Sequence, residues 1–506
     1  MQLLLIPLSL TAQDSLMTEG RYRLADETAL WSNTDISAGM TLDSRDNRGR
    51  SYIGLMHQGG DFTRVQDGTM ENRLTFSSER YQKISEKIYG YGRFRFDMGR
   101  TKGRAWSDVM RSYNTDPYFS GSAVKGKYDL QRFDLTAALS TTPIHGFTCG
   151  LRLDYQVADL SRLRDPRSRT NLLDYKITPS ATFSLDDNNT VGLSVFYNRR
   201  KEKLPSFSNA QSDAQIPYYY FTGLENALMQ NGSTYTYAQR EWVNHQFGAS
   251  ASYFYHSDAL KSLNTVSASR GAENVYYDAK AEIGKYYNYN YGISSQNRIF
   301  LDDKILSADV SLEYLQGYAD EYRQNTDISI DSVTGYSSTT YSTILIYKKR
   351  YQVNVFDLDI HPRLSFTGDD GISAYIGVDY QLRSVKNKYL LRTSEMKYAD
   401  MLFGLEGGLR LFGSLYVDAF GQYKISTSTT LDLYDSTTDV AQNVLIPNMD
   451  YYGAGYWRGR LKLTYQFPLN IKGYRANWFV SVYDDYTRSN NKTDWNIVGF
   501  SIGILN

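Results

Sequence analysis

The chain is poor in the residues that build catalytic and metal centres. Among 506 residues there is one cysteine, Cys149, so no internal disulfide and no multi-cysteine zinc site can form. Five histidines (His57, His145, His245, His256 and His361) are scattered too widely to suggest a metal cluster. No excess of either charge exists: 55 Lys+Arg balance 55 Asp+Glu, which removes the bulk electrostatic case for nucleic-acid binding. No run of about 18 apolar residues occurs, which argues against helical membrane spans. Only 10 prolines are present. No cofactor and no metal are expected.

Aromatic residues are abundant: 45 Tyr, 22 Phe and 6 Trp. A Tyr-rich, Pro-poor chain without helical spans is either a soluble all-β protein or an outer-membrane β-barrel, whose strands alternate and never form long apolar runs. Alternation is the dominant pattern. From Ile372 one face reads Ile372, Ala374, Ile376, Val378, Tyr380 and Leu382, and the other Ser373, Tyr375, Gly377, Asp379, Gln381 and Arg383. The same two-residue period runs from Leu173 to Leu185 and from Trp457 to Phe467. These runs are about ten residues or longer, the length a tilted strand needs to cross a bilayer, whereas strands of soluble sheets average about 5–6. The expected fold is all-β, a transmembrane antiparallel up-and-down barrel in the bacterial outer membrane.

Short turns (Thr142–Gly146, Leu185–Thr190, Leu301–Lys304, Thr367–Gly371, Leu411–Ser414 and Phe467–Gly473) interleave with longer polar segments. The latter are 102–128, 160–171, 203–243, 268–285, 324–349, 385–395, 428–450 and 488–494. Short periplasmic turns and long extracellular loops fit an outer-membrane barrel of about 18 strands, with 16 and 14 as alternatives. Met1–Gln13 reads as a secretory signal peptide, 14–35 as a periplasmic or lumenal segment, and 36–506 as the barrel. Ile36–Leu42 and Tyr52–Phe62 compete for the first strand. If only one is a wall strand, the chain up to about residue 45 sits inside the barrel. Residues 14–35 leave no room for a separate plug domain, and the length argues against the 22-stranded TonB-dependent class. Trp457, Tyr465, Phe467, Trp478, Tyr483 and Trp495 flank the last apolar stretches as interfacial girdle candidates.

The polar strand faces are the expected lumen lining. They carry Arg93, Arg95 and Asp97; Arg152 and Asp154; Asp309 and Glu313; Asp357, Asp359, His361 and Arg363; Glu406 and Arg410; Asp418 and Lys424; and Arg458, Arg460 and Lys462. Such strips either brace the wall as ion pairs or line a polar conduit. Two loops invite contact with lipopolysaccharide or a partner. One sets Arg162, Arg164, Arg167 and Arg169 around an Asp-Pro turn, and guanidinium forks suit anionic groups. The other, 203–243, carries Tyr218, Tyr219 and Tyr220, and loops this long are usually functional or disordered. An enzyme is not expected. No Gly-x-Ser-x-Gly element occurs, and in His256-Ser257-Asp258 strand geometry would send neighbouring side chains to opposite faces.

Leu153–Arg167, the run Leu172–Leu185 and the strand end Arg199–Lys203 together resemble a Bacteroidota family of outer-membrane barrels without an assigned function. The resemblance implies an outer-membrane location and, further, a setting beside TonB-dependent receptors and surface lipoproteins. Similarity to long-chain fatty-acid transporters stops at general barrel character, because their Asn-Pro-Ala element has no counterpart here. Three functions follow as expectations: a channel or gated uptake pore with a charged lumen; a non-conducting accessory that binds a TonB-dependent receptor or surface lipoprotein through its loops; or a secretion-system component. The first predicts conductance whose selectivity changes when Arg458, Arg460 and Lys462 are neutralised.

Overall fold

The computed structural model describes residues 16–110, 115–210, 216–232, 239–277, 281–390, 393–471 and 474–506. The expected signal peptide lies outside them. Twenty-two strands occur in chain order among the described residues: β1 (Arg48–Gly60), β2 (Met70–Ser85), β3 (Ile88–Arg104), β4 (Ser120–Ser122), β5 (Gly126–Thr141), β6 (Phe147–Arg162), β7 (Arg167–Ser184), β8 (Asn189–Leu204), β9 (Phe207–Ser208), β10 (Ile216–Gly223), β11 (Asn226–Gly232), β12 (Arg240–His256), β13 (Leu260–Tyr277), β14 (Ala281–Leu301), β15 (Lys304–Ile330), β16 (Ser337–Gly368), β17 (Gly371–Tyr389), β18 (Ser394–Leu411), β19 (Leu415–Asp432), β20 (Tyr456–Ile471), β21 (Tyr474–Ser489) and β22 (Asp494–Leu505). Eighteen of them form the wall, each antiparallel to the next, and β1 pairs with β22 to close the ring. Closure removes every sheet edge, which is the only way a sheet satisfies its backbone groups in lipid.

The two-residue period explains which face turns outward. Leu55, Phe94, Leu151, Leu193, Phe247, Ile293, Ile376, Leu405, Leu461 and Phe500 are exposed on the outside, while their strand neighbours carry the charges and hydroxyls. An apolar belt around a closed antiparallel barrel is the surface of an outer-membrane protein. Proline marks the wall locally. The β7–β8 ladder skips Thr178 and Pro179, and the β16–β17 ladder skips His361 and Pro362, because a proline ring has no N–H to donate. In the girdle, Trp457 and Tyr465 are half exposed outside. Tyr483 and Trp495 instead follow the inward phase: the Tyr483 ring crosses to Gly499, and Trp495 lines an inner hollow beside Gln156 and Arg200.

The wall begins at Arg48, not at residue 36. Ile36 and Ala38 are fully buried with Leu30, Trp31, Phe254 and Leu263, inside the ring rather than against lipid. Their apolar side chains find the inner wall as a partner, so no strand forms there.

At the extracellular end the loops fold inward. β4, β10 and β11 make a small sheet that packs on the upper inner wall. Trp106, Phe119, Tyr218, Tyr219, Tyr220 and Phe221 join Trp242, Tyr351, Tyr389 and Tyr398 in one buried cluster, with helix Ile446–Gly453 beside them. Phe119 stacks on Phe221 at 3.9 Å and Phe207 on Tyr218 at 4.2 Å. Tyr218, Tyr219 and Tyr220, expected as contact residues, are thus at most 5% exposed and pack into this inner cluster instead. The pattern that suggested an adaptable surface is that of an aromatic core. Arg162 is likewise buried, bonded to Tyr128 (2.8 Å), Asp108 (3.4 Å) and the Val124 carbonyl. Arg167 pairs with Asp165, Arg169 with Asp159, and Arg164 remains exposed.

Candidate functional site

Residues 16–47 run through the periplasmic half of the lumen. Their centre is helix α1 (Glu19–Thr28). Thr18 caps it by accepting a hydrogen bond from the Arg21 N–H, and Glu19 sits in its first turn, where negative charge suits the helix dipole. The helix start presses on the β16–β17 turn so closely that glycine is needed on both sides. A Cβ on Gly20 would lie 2.5 Å from the Asp370 carbonyl oxygen, and one on Gly371, whose φ is +92°, would lie 2.2 Å from Gly20.

The segment is fastened to the wall almost all the way round. The Glu19 N–H donates to Gln466 (2.8 Å) and the Gly20 N–H to the Tyr416 hydroxyl (3.1 Å). Arg23 forms a bidentate pair with Asp418 at 2.7 and 2.8 Å and reaches Glu19 at 3.1 Å. Tyr22 donates to Glu79 at 2.5 Å. Glu27 accepts from Ser307 and from Ser365 (2.9 Å), and its backbone carbonyl accepts from Arg298 (2.7 Å). Farther on, Asp35 pairs with Lys176 at 2.6 Å, and Ala38 is held by Ser140, Thr148 and Ser180. Burial pushes the Glu19 carboxyl up, but Arg50, Arg23 and Lys462 outweigh it and hold it below the ordinary carboxylate range. Asp43 shows the opposite result. Burial pushes it up to about 6, although the Trp31 and Ser32 N–H groups bond to its charged form.

Between the inner segment and the aromatic mouth lies a charged chamber with two lobes of about 610 Å³ each, which share Arg23, His361 and Arg363. One lobe is lined by Tyr375, Asp379, Gln381, Phe420, Tyr456, Arg458, Arg460 and Lys462, the other by Tyr22, Asp26, Tyr81, Tyr91, Arg93, Arg152 and Asp309. Each lobe is the size of a small-molecule site.

The eighteen residues expected to line the lumen alternate with the lipid-facing ones, and most are paired. Arg95 and Arg132 converge on Asp97 (3.0 and 2.6 Å), and Arg152 bonds Asp154 (2.9 Å). Asp309 takes Arg298 (2.5 Å), and Asp357 lies 3.5 Å from Arg383. Glu313 stands opposite Asp357 in the β15–β16 register, and Asp359 accepts from Ser311. Glu406 collects His361 (2.9 Å) and Arg363 (2.6 Å). Arg410 reaches Asp370 (2.8 Å), and Lys424 reaches Asp400 (3.1 Å) and the Tyr452 carbonyl (2.6 Å). Arg458 and Arg460 share the buried Asp485 at 2.7 and 2.6 Å. Among the described residues, Lys462 and Arg93 have no carboxylate within ion-pair distance, one in each lobe.

Sequence reasoning missed the inner half of the site, Glu19, Arg23 and Glu27, and the wall acid Asp485. A signal existed. Thr18 followed by Glu19, Arg23, Asp26 and Glu27 at three- and four-residue spacing is a short capped helix with charges on one face. The histidines bond to other groups: His57 to Asn72, His245 to Tyr197 and His361 to Glu406.

Residues 37–506 match a family of unknown function, DUF6850. No curated protein matches the chain. Among solved structures the chain is similar to the ferric-catecholate import receptor Fiu from E. coli K12 in its open form (8% identity, TM-score 0.37, 90% of this chain and 81% of that one). It is similar also to the ferric yersiniabactin uptake receptor FyuA from Yersinia pestis (10%, 0.38, 92% and 81%) and to the FrpB iron transporter from Neisseria meningitidis, F3-3 variant (8%, 0.40, 93% and 83%).

Proposed function

We propose, on the premise that this chain belongs to DUF6850, a family of unknown function, that it is a gated uptake pore of the outer membrane. The observation that carries this reading is the inner segment, whose helix α1 crosses the periplasmic half of a charged lumen on ion pairs, with apolar contacts gathered in separate small clusters around Tyr22, Trp31 and Met40. Ion pairs beside a water-filled chamber can be exchanged for water and reformed, whereas a fused hydrophobic plug could not be withdrawn cheaply. The chamber receives a polar solute, Lys462 and Arg93 meet its anionic groups, and displacement of α1 opens the way to the periplasm.

The test is a tether. Thr18→Cys and Asp370→Cys, introduced together in a Cys149→Ser background, join positions already linked by the Thr18 hydroxyl to the Asp370 carbonyl at 3.1 Å. Combined with a loosening substitution such as Asp418→Asn, the reduced protein should show discrete openings in a planar bilayer and the oxidised protein none. Conductance that ignores the tether overturns the gate.

The accessory reading is favoured by one observation, the described parts of the extracellular loops folded inward onto the upper wall. Under it, the exposed Arg164 would contact lipopolysaccharide, or the loops a TonB-dependent receptor or surface lipoprotein. A barrel silent under every loosening substitution would support it.

A further inference from the structure

Two wall strands outgrow the wall. The β14–β15 ladder ends at Glu321 and the β16–β17 ladder at Tyr351, yet β15 continues to Ile330 and β16 begins at Ser337. Among the described residues, 322–330 and 337–349 therefore form a ribbon of two strands with no ladder partner on either edge, tied at its base by Gln324 donating to the Glu282 carbonyl (2.7 Å). At about 3.3 Å per residue it stands roughly 30 Å beyond the wall on the extracellular side. An isolated hairpin is marginal in water and exposed strand edges are usually guarded by charge. Here Ser332–Tyr347 contains no charged residue at all. Ile328 and Ile330 are 68% and 70% exposed, and Val333 and Tyr336 at the tip 92% and 79%.

The register separates two faces. Ile328, Ile330 and Thr326 lie opposite Thr339, Ser337 and Tyr341, all uncharged. The reverse face carries Asp327 among serines, with Ser329 bonded to Ser338 at 2.7 Å.

We propose that the Ile328–Ile330 face of this hairpin docks a second copy of the chain, face to face about a twofold axis normal to the membrane. Three observations select that occupant. The membrane-barrel assignment, on which this inference rests, fixes every copy in one plane with one orientation, so a neighbour presents the same hairpin at the same height. An isologous contact sets each residue near its own counterpart, and this face brings no like charges together, whereas the reverse face would oppose Asp327 to itself. The available face is about 30 Å by about 10 Å, so two copies bury roughly 600 Å², below a standard interface. That is too little for association in free solution and suits partners already held side by side.

The test uses the full chain in outer-membrane vesicles, in a Cys149→Ser background because Cys149 is exposed. Ile328→Cys and Asp327→Cys place a thiol on either face, and maleimide labelling checks that both are displayed. Mild oxidation should give a disulfide-linked dimer from position 328 at least tenfold more abundant than from 327. Equal yields, no dimer at either position, a thiol at 328 that does not label, or an adduct of 328 whose mass is that of a different protein would each overturn the proposal. None of these readouts depends on conductance, so gating can fail while this contact stands.

Discussion

The Arg23–Asp418 pair gives the most direct handle on the proposed gate. Both N–H···O contacts are short, 2.7 and 2.8 Å, and the side chains are only 18% and 14% exposed. Asp418→Asn keeps the shape and one acceptor but removes the charge. Hydrogen bonds to a charged group contribute about 1.5–3 kcal/mol, and stripping one partner from a fully buried pair costs about 3–5. Glu19 remains beside Arg23 at 3.1 Å and the chamber supplies water, so the loss should fall near 2–3 kcal/mol. Only the seated form makes the pair, so the seated–displaced ratio should fall about 30- to 150-fold, at about 1.4 kcal/mol per factor of ten. Single-channel recording of parent and variant reads this ratio as open probability, and Arg23→Gln on top of Asp418→Asn should add little, since the two lose the same interaction. An open probability within threefold of the parent, in a barrel whose heat-modifiable migration is normal, would refute the idea that this pair holds the segment.

Other consequences are checked as readily. Asp43, raised from its ordinary 3.8 to about 6 when seated, binds a proton more readily in the seated form. Seating therefore strengthens as pH falls from 7 to 5, by about 1 kcal/mol, and is flat above about 7. Openings should become rarer on acidification, and Asp43→Asn should weaken that trend, leaving the part carried by Asp26, which burial on the same segment also raises to about 6. Asp485→Asn leaves Arg458 and Arg460 without their shared carboxylate. Urea unfolding followed by gel mobility should register a loss of about 3 kcal/mol, and any conductance should shift toward anions. On the outer wall, Leu405→Arg should destabilise the barrel by about 2–4 kcal/mol, while the inward Gln381→Arg should cost far less. A similar loss at both positions would contradict the assigned faces. Phe221→Ala removes a ring from the aromatic cluster at the mouth and should expose 216–232 to added protease.

The wall was legible because its period is the sequence signal itself. Along Ala374–Arg383, Trp457–Phe467 and Leu173–Phe183 the outward residues are apolar and the inward ones mostly polar, so strand, face and approximate count can be read together. The turns were legible from their length. The inner segment was legible only as one of two alternatives, because Ile36–Leu42 has the composition of a strand and only the inner wall decides that its apolar residues meet Phe254 and Leu263 instead of lipid. Tyr218–Tyr220 misled for a related reason. Tyrosine serves equally at a contact surface and in a half-polar core, and the choice depends on whether Trp106, Phe119 and Trp242 stand opposite. Pairings such as Arg458 with Asp485 need the register of two strands, which alternation alone leaves open.

The inner segment is continuous with β1, joined to it through residues 44–47. Its contacts are also ordered along the chain: Met17 with Asn477, Thr18 with Asp370, Glu19 with Gln466, Arg23 with Asp418, Glu27 with Ser365, Asp35 with Lys176 and Ala38 with Ser140. A pull applied at the Met17 end would peel these bonds one at a time, so the force needed is that of the strongest single fastening and not of their sum. Since the far end is anchored in the wall, the released stretch cannot diffuse away. Its effective concentration at its own seat stays in the range of a short tethered ligand, on the order of millimolar. On the proposed gating reading, a stopper of this kind works as a tethered latch, opened by traction in sequence and reset without a second molecule.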